Sequence, residues 1–281
     1  MGGPVSAVRG DESAVYICGT YMNELGILSS LRRSGWTGPV YAVKDVREGR
    51  VLADLGGSGL EVLEWGLREP EDIVGLLEQH LGERKRGIVF FSDERFLGAF
   101  SKEGGKSRTP RLESYGPSTT ALPLILDRLL FYEHIERLGL GQFPRTVAGT
   151  TTAPFAIVGK PLILRPRRTW RGLAKNPRAV VVRDEKDLER RESEFRAAGL
   201  DPEDWAYQEV LSLAALDNVS VCGWHGEGNT DYIVTRKVLQ HPPEMGNGDV
   251  CEICGRDEAA EQTTRRILSS LEYEGPFEME F

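Results

Sequence analysis

A concentration of arginine lies in the middle of the chain. Residues 165–178 hold five arginines and one lysine in fourteen residues and no acid, although the whole chain is acidic. Guanidinium groups stay charged at physiological pH, and their planar fork matches phosphate and carboxylate oxygens. Because the segment begins on an apolar run that predicts a strand, a polyphosphate site beside that strand is one interpretation. A solvated arginine-rich loop is the other, and composition alone favours neither.

Acidic and basic residues also occur on several predicted strands of the last third of the chain. Gln208 and Glu209 end one strand, Arg236 and Lys237 lie on another, and Glu280 lies on the last. Magnesium sites typically combine one or two carboxylates with substrate phosphates, which is the chemistry these residues could serve. Taken singly, each of them is more often a surface charge than a ligand.

Cysteine and histidine give weaker signals. Cys251 and Cys254 form one C-x-x-C pair, which with Cys222 and His241 has the residue types for zinc, but structural zinc sites usually combine two such motifs. Buried or surface thiols are therefore the default interpretation. The histidines have no i, i+4 metal pairing and no triad partners, which disfavours a Ser/His or Cys/His hydrolase.

The elements that must position these residues follow two patterns, and the first extends to about residue 112. Short apolar runs alternate there with helical periodicity, giving predicted strands at 14–18, 40–43 and 87–91 and predicted helices at 26–33 and 71–81. Such alternation indicates a parallel sheet, whose ligands bind at the carboxyl ends of the strands, here residues 19–23 and 92–94. No G-x-G-x-x-G follows the first strand, so a dinucleotide-binding dehydrogenase is not supported.

The second pattern follows a polar, glycine-rich stretch at 100–116, which predicts domains at 1–112 and 113–281. Beyond it the sequence predicts helices at 124–138, 184–198 and 258–271, a hairpin at 155–165, and strands at 179–182, 205–211, 219–224, 231–238 and 277–281. Strands and helices mix here without strict alternation. This predicts α+β sheets covered on one face.

Composition excludes several classes of protein. The chain has 281 residues, 40% of them hydrophobic, with Lys+Arg 35 against Asp+Glu 43 and a net charge of −8. This is a globular composition, and its charge opposes binding to nucleic acid or anionic membranes except through a local patch such as residues 165–178. Because no signal peptide or run of roughly 20 apolar residues is present, the sequence predicts a cytoplasmic protein.

Taken in order, the motifs resemble those of the ATP-grasp carboxylate-amine ligases, specifically the D-aspartate ligase-like and predicted ATP-dependent carboligase branch. Residues 14–96 are similar to the Rossmann-like domain that precedes the ATP-grasp fold in this family. Asp127-Arg128 and the turn at 138–146 resemble its Asp-Lys helix and following turn, and residues 161–166 resemble its P-x-x-x-K-P strand. The most distinctive match is V-T-R-K-V-L-Q-H-P-P-E-M-G at 234–246. Residues 273–281 resemble the strand that ends in E-F.

The resemblance implies ATP and Mg²⁺ as cofactors and assigns residues to them. Arg128, Arg165 and Lys175 would contact phosphates, and Lys237 would also bind the nucleotide. Gln208, Glu209 and Val210 would frame adenine, and Asp217 would contact the ribose. Arg236 would be catalytic, stabilising the acyl-phosphate step, and Glu280 would bind metal. The implied reaction activates a carboxylate with ATP and joins it to an amine, both small molecules such as amino acids or peptides, with release of ADP and phosphate.

Two departures from the family accompany these matches. Arg128 and Arg165 stand where lysine is usual, and the two side chains differ in geometry although both keep the charge. Family members also continue past the E-F strand to a segment reading roughly E-(I/V)-N-P-R, which supplies further metal ligands, whereas this sequence ends at Phe281. The expectation is that metal binding and catalysis are impaired in the 281-residue form.

The sequence leaves alternatives to a ligase open. One is a catalytically inactive nucleotide-binding or scaffold protein derived from such a ligase. Another is a nucleic-acid-binding module built on residues 165–178, which the net charge disfavours. A homodimer is the common assembly for soluble cytoplasmic enzymes in general.

Overall fold

The computed structural model describes residues 12–19, 23–45, 60–65, 73–102, 111–118, 120–141, 143–168, 179–211, 218–226, 228–241 and 247–281. The chain divides into two compact units, Met1–Thr119 and Thr120–Phe281. That these units are domains with a boundary near residue 112 stays a prediction. Among the described residues, none of the helices has the length and apolar character needed to span a membrane.

The first unit is built on a parallel five-stranded sheet in the order β3-β2-β1-β4-β5. Its strands are β1 (Ser13–Cys18), β2 (Val40–Asp45), β3 (Glu61–Trp65), β4 (Arg86–Phe91) and β5 (Leu112–Ser114). Its helices are α1 (Asn23–Arg33), α2 (Ile73–Leu81) and α3 (Glu94–Lys102). The parallel sheet predicted from the sequence is therefore confirmed.

Strand β1 explains why this sheet is buried on both faces. All six of its residues are buried, and successive side chains enter different cores. Tyr16 packs in a cluster with α2 and α3, whereas Ile17 packs with Leu28 of α1. A continuous apolar strand of this kind is typical of a parallel sheet covered by helices on both sides.

The second unit contains two antiparallel four-stranded sheets. The first antiparallel sheet has the order β6-β9-β7-β8 and consists of β6 (Thr146–Ala148), β7 (Leu162–Pro166), β8 (Val180–Val182) and β9 (Trp205–Glu209). Helices α6 (Pro154–Val158) and α7 (Glu185–Ala197) accompany it. Leu162 and Leu164 pack with Phe195 of α7 on one face. The opposite face is therefore left to Ile163 and Arg165.

The second antiparallel sheet has the order β12-β11-β10-β13. It consists of β10 (Val219–Gly226), β11 (Asn229–His241), β12 (Asn247–Ile253) and β13 (Gly275–Glu280). Helix α8 (Glu258–Ser270) covers one face, where Ala260 packs against Val221 and Val234. Strand β12 contains Cys251, and the sequence analysis did not predict it.

Two further helices, α4 (Leu122–Leu126) and α5 (Arg128–Arg137), replace the single helix predicted at 124–138, so that prediction is wrong. The break falls at Asp127, whose backbone is extended and whose side chain accepts the backbone N–H groups of Leu129 and Leu130. An aspartate in this position caps a new helix and interrupts the previous one. The apolar periodicity continues across the break, which is why the sequence suggests one helix.

The hairpin predicted at 155–165 is also wrong. The chain forms α6 up to Val158 and then β7 from Leu162. Pro154 lies in the first turn of α6, where its missing N–H costs nothing, and Gly159 ends the helix with φ 91°. The turn residues 159–161 are therefore a helix-to-strand connection.

Helix α5 contacts the first antiparallel sheet at the end of β7 and the second through its helix α8. Near its beginning, the backbone N–H of Arg128 donates to the carbonyl of Arg167, just beyond β7 (3.2 Å). Near its other end, His134 Nε2 lies 2.9 Å from Ser270 Oγ of α8, and Ile135 packs with Ile267 of α8. The helix thereby fixes Arg128 beside β7.

Candidate nucleotide site

Arg165 begins a chain of hydrogen bonds across the first antiparallel sheet. Its Nη1 donates to Gln208 Oε1 at 3.0 Å, and Gln208 Nε2 donates to Thr146 Oγ1 at 3.0 Å. Thr146 Oγ1 in turn donates to the carbonyl of Pro144 at 2.9 Å. Gln208 is 3% exposed, so both ends of its amide are engaged in a buried setting. We call Arg165, Gln208 and Thr146 the Arg165 relay.

The structure brings Arg128 to the same end of β7 as Arg165. Arg128 Nη1 donates to the carbonyls of Pro166 (3.0 Å) and Arg167 (3.3 Å). Both arginines use part of a five-donor fork to hold this position, and both retain their charge. Two positioned cations beside one strand suit a phosphate or carboxylate ligand.

Asp127 balances two more arginines at this end of β7. Its Oδ1 accepts from Arg167 Nε at 2.7 Å and its Oδ2 accepts from Arg168 Nε at 2.8 Å. Burial acts to raise the pKa of Asp127, but the hydrogen bonds from the two arginines outweigh burial and the pKa lies below its ordinary value. The carboxylate therefore stays ionised and locks both guanidinium groups. The sequence analysis did not anticipate this pairing.

Glu209 is engaged by an arginine that the sequence analysis did not assign. Arg145 donates to Glu209 from Nη2 (3.0 Å), Nε (3.2 Å) and its backbone N–H (3.1 Å). These hydrogen bonds hold the pKa of Glu209 below its ordinary value. Val210 follows β9 and is half-buried. Arg145 belongs to the turn at 138–146, which is the signal that could have found it.

The remaining nucleotide contacts predicted from the sequence cannot all be placed. Lys175 and Asp217 lie outside the described residues, as do residues 169–178 of the arginine-rich segment. The assignment of these residues to phosphate and ribose stays a prediction.

The second antiparallel sheet brings together Lys237 and Glu280. Lys237 Nζ lies 2.6 Å from Glu280 Oε1, and the lysine side chain is 12% exposed while that of Glu280 is 53% exposed. Glu278 occupies the same face of β13, because side chains alternate along a strand. This face, opposite α8, is called the open face below.

Arg236 lies on the other face of the same strand. It is the register partner of Val219, which packs on the α8 side, and its Nη1 is 4.0 Å from Glu252 Oε1. The structure therefore does not group Arg236 with Lys237 and Glu280. Adjacent residues of a strand point to opposite faces, so the sequence spacing alone predicts this separation.

The described residues test the two implied cofactors differently. The cationic set around Arg165 and Arg128 fits phosphate oxygens. No group of three His, Cys, Asp or Glu side chains suitable for a metal ion occurs within the described ranges. Glu280 contacts Lys237, and its assignment as a magnesium ligand stays a prediction. Cys251 and Cys254 likewise do not form a shared site, since Cys251 is exposed and Cys254 packs on the α8 side.

The carboxyl ends of the strands in the first unit are the positions expected for ligand binding in a parallel sheet. The backbone N–H of Ser92 donates to the carbonyl of Cys18 at 2.9 Å, which places the carboxyl ends of β1 and β4 side by side. Lys44 at the end of β2 is fully buried and donates to the carbonyl of Gly19 at 3.0 Å. Residues 20–22 lie outside the described chain.

Comparison with known sequences and structures gives different results. The sequence matches no protein-family model, and no curated protein matches it significantly. Among solved structures, an N5-carboxyaminoimidazole synthetase from Staphylococcus aureus, complexed with ADP, has a TM-score of 0.64 at 17% identity. The match covers 95% of this chain and 66% of the synthetase chain. A biotin carboxylase from Campylobacter jejuni has a TM-score of 0.62 at 18% identity, covering 95% and 61%.

A D-alanine–D-alanine ligase from Bacillus anthracis is similar at 12% identity in two structures, both of which align with 95% of this chain. The TM-score is 0.52 for one structure, with 81% of the ligase covered, and 0.53 for the ATP complex, with 80% covered. The chain thus spans about two thirds or less of the length of the synthetase and carboxylase. At these identities the likeness establishes the fold. The chain has an N-terminal parallel-sheet unit followed by an ATP-grasp fold, as the sequence resemblance predicts.

Proposed function

We propose that this chain binds ATP against the first antiparallel sheet and acts as an ATP-dependent ligase that joins a carboxylate to an amine. The observation that carries the proposal is the Arg165 relay, which fixes a cation on the face of β7 that is not packed against α7. Solved proteins of the same fold that were crystallised with ADP support the choice of nucleotide. The proposal includes that this ligase is of the D-aspartate ligase-like branch.

The residues of this chain would serve mainly to bind and orient. Arg165 and Arg128 would contact phosphate oxygens, with Gln208 and Thr146 keeping the Arg165 fork in one orientation. Preorganised cations stabilise the charge that develops as a carboxylate attacks the γ-phosphate and ADP departs. The resulting acyl phosphate is opened by an amine, which forms the amide and releases phosphate.

Between the two basic neighbours on β11, Lys237 is the better placed for a ligand on the open face. It is mostly buried and lies on the same face as Glu280, whereas Arg236 lies on the α8 side. Arg236 as the catalytic residue and Glu280 as a metal ligand stay predictions. Replacing Arg236 and Lys237 by alanine, one at a time, and measuring ADP release tests which of them acts.

Calorimetric titration with ADP and Mg²⁺ tests nucleotide binding directly. We expect saturable binding by the wild-type chain and a loss of about tenfold or more in Arg165→Met, because a charge-assisted hydrogen bond contributes about 1.5 to 3 kcal/mol. Arg190→Met is the matched control, since Arg190 is exposed and paired within α7. Equal binding by Arg165→Met and wild type, with thermal unfolding showing both folded, would contradict the proposal.

A second candidate function is nucleotide binding without turnover. It is favoured by the contact of Glu280 with Lys237, which pairs the predicted metal ligand with a cation. ADP release in the presence of ATP, Mg²⁺ and mixed carboxylates and amines separates the two functions. Nucleotide binding without any ADP release would favour the second.

A further inference from the structure

Apolar side chains cross the open face of the second antiparallel sheet. The exposed residues Trp224 on β10, Ile233 on β11 and Ile253 on β12 alternate with residues that pack toward α8, which places all three on this face. Cys222 pairs with Ile233 and Thr235 pairs with Ile253, so each of the three is a diagonal neighbour of the next. Diagonal neighbours lie about 7–8 Å apart, within reach of aromatic and long side chains. We call these three residues the Trp224 stripe.

Two exposed carboxylates flank the Trp224 stripe on the same face. Asp231 is the register partner of Trp224, and Glu278 is the register partner of Cys222. Asp231 Oδ1 accepts from Asn229 Nδ2 at 3.1 Å, and no cation among the described residues forms an ion pair with either carboxylate. Burial, followed by Glu278, raises the pKa of Cys222 to about 11, which agrees with a local excess of negative charge.

A surface that is both apolar and negatively charged favours one class of ligand. A carboxylate would meet Asp231 and Glu278 without a cation to offset them, and a small hydrophilic cation would leave the apolar side chains in water. An ammonium group attached to an apolar group meets both demands, because it can lie beside a carboxylate while the apolar part covers the stripe. The indole of Trp224 adds to this preference, since tryptophan is the ring that attracts cations most strongly.

We propose that the Trp224 stripe binds the amine of the proposed ligation, and that this amine is a small primary amine with an aryl or branched alkyl group and no carboxylate. Such an amine is protonated at pH 7, as the lysine side chain is. Its apolar group lies on the stripe and its ammonium lies toward Asp231 or Glu278. The role as a substrate rests on the proposed function, whereas the binding itself does not.

The stripe is separate from the residues of this face that are assigned to nucleotide and metal. Lys237 follows Ile233 by four residues of β11, which is about 14 Å at the rise of a strand. Lys237 is also already paired with Glu280, so it leaves the charge near the stripe unbalanced. An amine on the stripe and a nucleotide near Lys237 therefore need not share a contact.

Calorimetric titration of the full chain with 2-phenylethylamine and with 3-methylbutylamine, in EDTA and without nucleotide, tests the binding. Three analogues identify what is recognised: ethylamine lacks the ring, 3-phenylpropanoate has a carboxylate in place of the ammonium, and L-phenylalanine adds a carboxylate. We expect each analogue to bind at least about fivefold more weakly than 2-phenylethylamine, because each loses either apolar burial or charge complementarity. The proposal is overturned if neither amine binds at millimolar concentration, or if 3-phenylpropanoate or L-phenylalanine binds as well as 2-phenylethylamine.

Variants assign the binding to the stripe. Trp224→Ala should weaken binding of 2-phenylethylamine about tenfold and Trp224→Phe much less, because phenylalanine keeps an aromatic face. Glu278→Gln should weaken it severalfold. Glu252→Gln is the matched control, since Glu252 is an exposed carboxylate on the other face of the same sheet, beside Arg236. Unchanged affinity in both Trp224→Ala and Glu278→Gln, or an equal loss in Glu252→Gln, would overturn the proposal.

Two further measurements separate this inference from its alternatives. Sedimentation of the wild-type and Trp224→Ala chains tests whether a second copy covers the stripe, and a dimer that the substitution abolishes would overturn the proposal. ADP is titrated into the same preparations. Binding of ADP without binding of either amine overturns this inference and leaves the nucleotide site in place, whereas binding of an amine without ADP supports the amine site and overturns the proposed ligase.

Discussion

The two antiparallel sheets of the second unit place their polar groups in opposite ways. In the first, the polar side chains interlock below the surface, and Gln208 is 3% exposed between Arg165 and Thr146. In the second, the open face has Trp224, Ile233 and Ile253 at 37%, 50% and 74% exposure. Its ion pair joins the mostly buried Lys237 to a half-exposed Glu280.

Under the proposed function, this difference separates a binding site that is already formed from a surface that a ligand would complete. Interlocked polar groups lose little entropy on binding, so the first sheet can orient an anion as it stands. The open face gains most when a ligand removes its apolar side chains from water. Substitutions in the first sheet and at its edge should therefore cost stability, whereas those on the open face should mainly affect binding.

The largest expected effect is at Asp127, at the edge of the first sheet. Asp127→Asn keeps the cap of α5 but removes the charge that pairs Arg167 and Arg168. Breaking a buried ion pair from one side costs about 3 to 5 kcal/mol, and the partial exposure of both arginines favours the lower end. Urea unfolding monitored by circular dichroism measures it.

Asp187→Asn is the matched control for Asp127, because Asp187 makes its arginine pairs on the surface of α7. Pairs of that kind contribute about 0 to 1 kcal/mol. An equal loss of unfolding free energy in Asp127→Asn and Asp187→Asn would contradict the conclusion that the polar groups of the first sheet interlock.

The cost of Asp127→Asn also depends on pH. Because the folded-state pKa of Asp127 is lowered, its contribution is complete above the unfolded-state value of about 4 and is lost as pH falls through the folded-state pKa. The difference in unfolding free energy between wild type and variant should therefore be constant from pH 7 to about 5 and decline in more acidic solution. A difference that does not change down to pH 2 would contradict this assignment.

The next effect concerns thiol reactivity on the open face. Burial, with Glu278 adding to it, raises the pKa of Cys222 to about 11, whereas Cys251 is exposed. The thiolate is the reactive form, so at pH 7.5 Cys222 should be alkylated about a hundredfold more slowly than a cysteine of ordinary pKa. Its rate should increase with pH up to about 11. Iodoacetamide labelling read by peptide mass spectrometry measures both thiols, and rapid labelling of Cys222 at pH 7.5 would contradict the prediction.

The fold could be predicted largely because its buried strands carry their own signals. The run Ala14–Cys18 is apolar throughout and bounded by Gly19, and its burial between two helical layers follows from that composition. The break at Asp127 could not be found in the same way, because the apolar periodicity on either side continues. A capping aspartate is recognised only when the N–H groups that it accepts are known.

The candidate site could be predicted in residue type but less well in pairing. The positions of Arg165 and Gln208 on neighbouring strands follow from sequence resemblance, yet their hydrogen bond depends on the register that pairs Ile163 with Gln208. Register is set by contacts between distant segments. The pairing of Arg145 with Glu209 could not be predicted for the same reason, because the two residues are 64 positions apart in the sequence.

A smaller effect than that of Asp127 is expected within the Arg165 relay itself. Gln208→Leu leaves the hydroxyl of Thr146 and part of the Arg165 fork without their present partner, at a cost of about 1 to 3 kcal/mol. Gln208→Glu can still accept from Arg165 but adds a negative charge beside it, so it should retain more stability than Gln208→Leu and bind ADP more weakly. Unfolding and calorimetry together check this, and equal ADP affinity in both variants would remove Gln208 from the relay.

The smallest effect on stability is expected for the Lys237–Glu280 pair on the open face. Glu280→Gln should change the free energy of unfolding by less than about 1 kcal/mol, because the carboxylate is half-exposed and the pair is screened by solvent. If Glu280 also meets a magnesium–nucleotide complex, the variant should weaken ADP binding severalfold in Mg²⁺ and leave binding in EDTA unchanged. Glu272→Gln, on an exposed turn outside both sheets, is the control. Equal weakening with and without Mg²⁺ would show that Glu280 acts through Lys237, and a large loss of stability would show that the open face is as interlocked as the first sheet.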